Sequence, residues 1–264
     1  MAEVGVNTLL GPSLDVADPG TQMEITGRSF GQTPEEVITR ARAWLEGLHG
    51  TNPDLTIIAK HYPGYNVKHS SDVIPGITDD SPVAEIERRS SPFFTLAPEL
   101  DGVMVSSITY SNIDSQPACF SKKIIDSIRA KHPDMVVITD DLYAPGLMTN
   151  EIRFLQEFLI IESRRRRGQG NEAEEKRREQ ILRRFPKLED QKERRKLVAL
   201  RRQKLKENAQ RSFLAGCDIL LTMDAREVGT IHSALMELIQ SRPRLEKRLD
   251  DSVRRLLKIH PKKK

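Results

Sequence analysis

Apolar positions along this chain fall into two patterns. Short, nearly continuous apolar runs alternate with longer stretches whose apolar residues recur every three or four positions, the marks of buried strands and amphipathic helices. Val6–Val16 is the first run; it ends in Asp15 and passes into a loop rich in Asp, Pro and Gly. Thr33-Pro34-Glu35-Glu36 has the form of a helix start, with Pro at the first helical position and acids in the first turn. Val37, Ala41, Trp44, Leu45 and Leu48 then recur at helical spacing, so a helix is predicted over Thr33–Gly47. The same reading predicts strands at Leu55–Lys60, Gly102–Tyr110, Met135–Thr139 and Cys217–Met223, and helices at Glu85–Leu96, Ser121–Lys131, Thr230–Gln240 and Leu245–Ile259.

Strands separated by helices imply parallel βαβ units, and nearly continuous apolar strands imply a sheet covered on both faces. The expected class is therefore α/β. Polar residues gather where the strands end, at Asp15, Lys60-His61, Ser106-Ser107 and Asp140-Asp141. In a (β/α)8 barrel that carboxyl rim is where the active site is built. The pattern supplies about five strand–helix units rather than eight, so the expectation is an incomplete, barrel-derived fold over residues 1–150 and 209–264.

Residues 151–208 break the pattern. An apolar stretch, Phe154–Ile161, gives way to Arg164-Arg165-Arg166-Arg167 and a Glu/Lys/Arg-rich run interrupted at Phe185-Pro186. One or two solvent-exposed helices are expected, as a charged insertion on the rim with a break at Pro186. Between residues 163 and 208 there are 18 Lys/Arg against 8 Asp/Glu, so the formal net charge of +4 arises in this segment alone. Phosphate binding through it is one reading. Its acids alternate with its bases, and Phe185 is its one aromatic, so a nucleic-acid partner is not expected.

Composition narrows the classes further. Cys119 and Cys217 stand far apart with no CxxC or Cys/His spacing, which argues against a disulfide framework and a zinc site; no metal or cofactor is expected. No apolar run approaches the roughly 18 residues of a membrane span, and no signal-peptide pattern opens the chain. As written the chain reads as a soluble, cytoplasmic protein; an upstream signal would instead send it to the cell envelope or the exterior.

Taken alone, Asp140-Asp141 at a strand end suits a capping role as well as a chemical one. Arg28 suits a loop salt bridge, and His61 a satisfied structural histidine. The motifs weigh together. Lys60-His61-Tyr62-Pro63-Gly64 resembles the KHFPG signature of family 3 glycoside hydrolases of the β-N-acetylhexosaminidase type, and Thr139-Asp140-Asp141-Leu142 resembles their (S/T)DDL motif. Gly11-Pro12-Ser13-Leu14-Asp15-Val16, Gly27-Arg28-Ser29-Phe30-Gly31, Ser111–Ala118 and Ala215-Gly216-Cys217-Asp218 are similar to further landmarks, in the same order.

The resemblance implies a retaining glycosidase whose carboxylate nucleophile falls on Asp140, with Arg28, Lys60 and His61 contacting the sugar. It implies a carbohydrate substrate, a terminal β-N-acetylglucosaminide such as a peptidoglycan fragment. Two departures qualify it. The Asp-Ser-His that usually follows KHFPGHG as an acid/base dyad is replaced, with Ser71 and Val73 at the dyad positions; Asp72 and His69 remain as candidate proton donors. The family's first three barrel strands and its EGG-R motif have no counterpart, so a missing N-terminal segment or a partner chain is expected to complete the barrel. A catalytically inactive relative acting in binding or structure stays open.

Overall fold

The computed structural model describes residues 5–71 and 76–259. Strand β1 (Thr8–Leu9) is followed by a short helix α1 (Gln22–Ile25) and by α2 (Pro34–Thr51). The Thr33 side chain caps α2 by accepting the Glu36 amide, and Val37, Ala41 and Leu45 are its buried stripe. Next come β2 (Thr56–Tyr62), β3 (Thr78–Asp79), α3 (Val83–Thr95), β4 (Gly102–Val105), β5 (Thr109–Tyr110), α4 (Lys122–Lys131) and β6 (Val136–Thr139). The remainder is helical: α5 (Asn150–Arg166), α6 (Glu172–Arg184), α7 (Gln191–Ala215), α8 (Val228–Ser241) and α9 (Glu246–Ile259).

The main sheet is parallel, in the order β1-β2-β4-β6, so each βα unit lies beside the one before it. Residues 218–221 extend it. Asp218 N donates to Val137 O, Thr139 N to Ile219 O and Leu142 N to Leu221 O, and Ile219 bridges Ile138 in parallel. Among the described residues the sheet does not close, so the fold is an incomplete α/β barrel as expected.

Strand periodicity sorts the side chains. Ile57, Ala59, Val103, Val105 and Val137 join the large core under the helices, while Ile58, Met104 and Ile138 form a second cluster on the opposite face with Leu10, Ile219 and Leu221. Both faces are therefore apolar, which explains the unbroken apolar runs.

Three expectations need correction. The run Gly102–Tyr110 is not one strand: β4 stops at Val105, Ser106-Ser107 turn out of the ladder, and β5 pairs with β3 in a separate parallel pair. Arg89 of α3 pairs with Asp79 of β3, and both are buried, as is Tyr110 of β5. Val6–Val16 pairs as a strand at Thr8–Leu9 and then bends through a cis Gly11–Pro12 bond before Ser13 bridges Lys60. Residues 151–208 are not one or two exposed helices. Phe154, Leu155, Phe158 and Ile161 of α5 pack with Ile181 of α6 and with Leu188 to give the insertion a core of its own. The break at Pro186 is present, as a single 3-10 turn between α6 and α7. Helix α7 itself runs without interruption from the insertion to Gly216, across the expected boundary at residue 208.

Asp218 ties the last helix to the sheet. Its fully buried carboxylate accepts Val137 N and Ser252 Oγ, and pairs with Arg255 of α9 and Arg129 of α4. Burial raises this carboxyl, but the Arg255 hydrogen bonds and the Arg129 charge outweigh it and hold the group below its ordinary value.

Candidate functional site

The carboxyl ends of β2, β4 and β6 deliver Lys60-His61, Ser106-Ser107 and Asp140-Asp141 to one side of the sheet. A cavity of about 350 Å³ opens there, and Arg28, Lys60, His61, Tyr65, Asp140 and Asp141 all line it. Larger cavities exist, including one of about 750 Å³ between α3 and α4, but none of Lys60, His61, Ser106, Ser107, Asp140 and Asp141 lines that one. The smaller cavity holds the groups that chemistry needs.

Asp140 is half-buried and held at both oxygens. Ser107 Oγ donates to Oδ2 at 3.0 Å and the Asp141 amide to Oδ1 at 2.8 Å. Its own amide donates to Val105 O, which fixes the backbone of this residue to the end of β4. Lys60 and His61 sit at the end of β2, where the peptide bond between them is cis and the register with β4 shifts. Arg28 reaches the cavity from an exposed loop, next to Ser29, whose hydroxyl bonds Asp15 O and Gly31 O.

The turn after β2 is organised by Asp15, which is fully buried. Its carboxylate accepts the His61 amide at 3.1 Å, His61 Nδ1 at 2.8 Å, the Tyr65 amide at 2.6 Å and Ser13 Oγ at 2.8 Å. Burial pushes this carboxyl up, but the His61 ring, its hydrogen bond and the Tyr65 amide more than offset that and hold it below the usual carboxylate range. With Nδ1 committed to Asp15, the other His61 nitrogen is the one left for the cavity.

The structure brings Asp140, Arg28, Lys60 and His61 to one cavity. It does not bring His69 with them. That residue is exposed, lies outside the cavity lining, and its carbonyl accepts the Tyr65 hydroxyl. Asp72 lies outside the described residues. Asp15, Tyr65, Ser71 and Ser107 were not picked as site residues. Asp15 and Ser107 could have been found as polar residues closing apolar runs, whereas Tyr65 and Ser71 carry no such signal. Among the described residues no cluster of His, Cys, Asp and Glu has the makings of a metal site, and no helix is long and apolar enough to cross a membrane.

The strongly basic segment is less open than its count suggests. Arg177 pairs with Glu157, Arg178 with Glu162 and Arg164 with Glu174, all between helices, and Arg184 lies over the rings of Phe154 and Phe185.

Parallel strands followed by helices, with acidic and basic groups gathered at their carboxyl ends, make a barrel-type α/β framework. Comparison with known proteins is more specific: residues 1–152 match the glycosyl hydrolase family 3 N-terminal domain, more than half the chain, and the protein belongs to that family. A β-hexosaminidase of Methylococcus capsulatus is 35% identical over 149 residues, covering 54% of this chain and 43% of that protein. One from Idiomarina loihiensis is 31% identical over 146 residues, with the same coverage of 54% and 43%. The chain thus matches less than half the length of these relatives. Among solved structures, the β-N-acetylhexosaminidase of Beutenbergia cavernae superposes with a TM-score of 0.69 over 97% of this chain and 63% of that one, at 24% identity. The β-N-acetylglucosaminidase of Thermotoga maritima gives 0.67 over 100% and 46%, at 21% identity. These likenesses concern the fold.

Proposed function

We propose that this protein is a retaining glycosidase acting on terminal β-N-acetylglucosaminides, peptidoglycan fragments among them, with Asp140 as the nucleophile. The observation that carries the reading is the placement of Asp140 in one cavity with Arg28, Lys60 and His61. A carboxylate held by two donors is aimed and kept from rotating, as attack on an anomeric carbon requires. Lys60, Arg28 and the Asp15-oriented His61 supply donors for sugar hydroxyls around it. Further βα units, from a longer chain or a partner, would pair at the edge of β1. The test is release of nitrophenol from 4-nitrophenyl N-acetyl-β-D-glucosaminide. Turnover is expected and should fall by at least a thousandfold in Asp140→Ala; absence of turnover in the intact protein sinks the reading.

One observation favours the alternative, a sugar-binding relative without turnover. Ser71, at a position where a dyad residue is expected, is committed to hydrogen bonds with Tyr65 and Ser107. Binding of N-acetylglucosamine without hydrolysis would support that alternative.

A further inference from the structure

Ser71 and Ser107 are both about 2% exposed or less, and Ser71 is part of the cavity lining. Ser71 Oγ lies 2.8 Å from Ser107 Oγ, and Ser107 Oγ lies 3.0 Å from Asp140 Oδ2. At the other end Tyr65 Oη accepts the Ser71 amide at 2.6 Å and stands 3.3 Å from Ser71 Oγ. The loop after β6 presses on the same pair. Gly146 N donates to Ser71 O at 2.8 Å, and a Cβ on Gly146 would stand 3.0 Å from Ser71 Cβ and 3.4 Å from Ser107 O.

Elementary hydrogen-bond rules fix the direction of this chain. An ionised carboxylate accepts and cannot donate, so Ser107 spends its one proton on Asp140. The contact between the two serines must then carry the Ser71 proton toward Ser107. Ser71 Oγ is left as an acceptor; Tyr65 spends its one proton on His69 O and anchors Ser71 by accepting its amide. Donors aligned head to tail polarise one another, so the last bond, to Asp140, is strengthened by the one behind it.

We propose that Ser107 is a positioning residue for Asp140 and that Ser71, anchored through its amide by Tyr65, orients it, the two serines forming a one-way donor chain that favours Asp140 as a departing carboxylate. The proposal rests on the glycosidase reading above. A bond to the carboxylate stabilises the anion more than the ester. In the first half-reaction the Asp140 oxygen bonds the anomeric carbon, while the aglycone leaves with its bonding pair and takes a proton from the acid/base group. In the second, water adds to the anomeric carbon and the bond to Asp140 breaks with its electron pair returning to the carboxylate. The water's proton goes to the acid/base group. The chain therefore assists the second half most, where the negative charge on Asp140 is being regained.

This predicts a kinetic signature distinct from a loss of structure. With 4-nitrophenyl N-acetyl-β-D-glucosaminide, Ser107→Ala is expected to lower kcat about tenfold, to lower KM along with it, and to show a burst of nitrophenol near one equivalent of enzyme. Ser107→Thr, which keeps the hydroxyl, should restore most of kcat. A fall in kcat with KM unchanged or raised, or with no burst, overturns the proposal. If the wild-type chain shows no turnover, the glycosidase reading fails on that result alone, and the donor chain is read from urea unfolding. There the losses from Ser71→Ala and Ser107→Ala should be non-additive in the double variant, and strictly additive losses overturn the chain of hydroxyls.

Discussion

At the scale of single residues, the site depends as much on a fully buried carboxylate as on the half-buried Asp140. Asp15 touches no open space, yet it holds His61 by both amide and ring and holds Tyr65 by its amide. Replacing it with Asn removes the charge from four hydrogen bonds and should cost roughly 3 kcal/mol at pH 7, measured by urea unfolding. The pH dependence has a definite sign. The Asp15 carboxyl is held below its ordinary value in the folded protein, so its contribution is present above about pH 4 and is lost as the pH falls through the lowered value. The stability gap between wild type and Asp15→Asn should therefore narrow below pH 4; a gap that stays constant to pH 2 would show that the charge of Asp15 is not what stabilises the turn.

Much of this was legible residue by residue, for an identifiable reason. Asp140 and Lys60-His61 close apolar runs, and a residue closing a buried parallel strand must emerge at the rim. Tyr65 and Ser71 were not legible, because they matter through contacts to residues 36 and more positions away. His69 shows the converse: its residue type suited a proton donor, but its side chain lies outside the cavity lining.

At the scale of elements, helix ends are where the sequence spoke most plainly. Thr33-Pro34 starts α2, and Asn171 with Glu174 forms a full capping box on α6. The β5 strand was hidden because Thr109-Tyr110 continues the apolar run of β4 and has the same strand propensity; its partner, Thr78-Asp79, lies some thirty residues earlier and leaves no mark in the run itself. At the end of α7, Gly216 adopts φ 125°, and a Cβ there would stand 2.8 Å from Ile125 Cγ2. Gly216→Ala is accordingly expected to cost roughly 2 kcal/mol in chemical denaturation through backbone strain and crowding of α4. A loss below about 0.5 kcal/mol would mean that Ile125 moves aside freely.

At the scale of the whole molecule, the chain combines a family framework with a helical insertion that has its own core. Phe158 is buried among the insertion's apolar residues, apart from the cluster beneath the sheet. Phe158→Ala should cost about 3–5 kcal/mol locally. Hydrogen exchange should then quicken in α6 while amides of β2 and β4 keep their protection, since sub-domain opening follows separate cores. Equal loss of protection in both would show one cooperative unit. That second core was not legible because Phe154–Ile161, Ile181 and Leu188 meet through folding, and the sequence between Ile161 and Ile181 is mostly charged.

The continuity of α7 has a consequence for how this protein can change. One end of the helix packs in the insertion, and the other places Asn208 against the carbonyls of Leu142 and Leu147. Each residue added to a helix turns everything beyond it by about 100° and advances it 1.5 Å. A single codon gained or lost between residues 195 and 204 would turn the part of α7 that packs in the insertion relative to its sheet-side end, whereas about seven would nearly restore the phase. Length variation in this stretch among natural variants is therefore expected in whole turns.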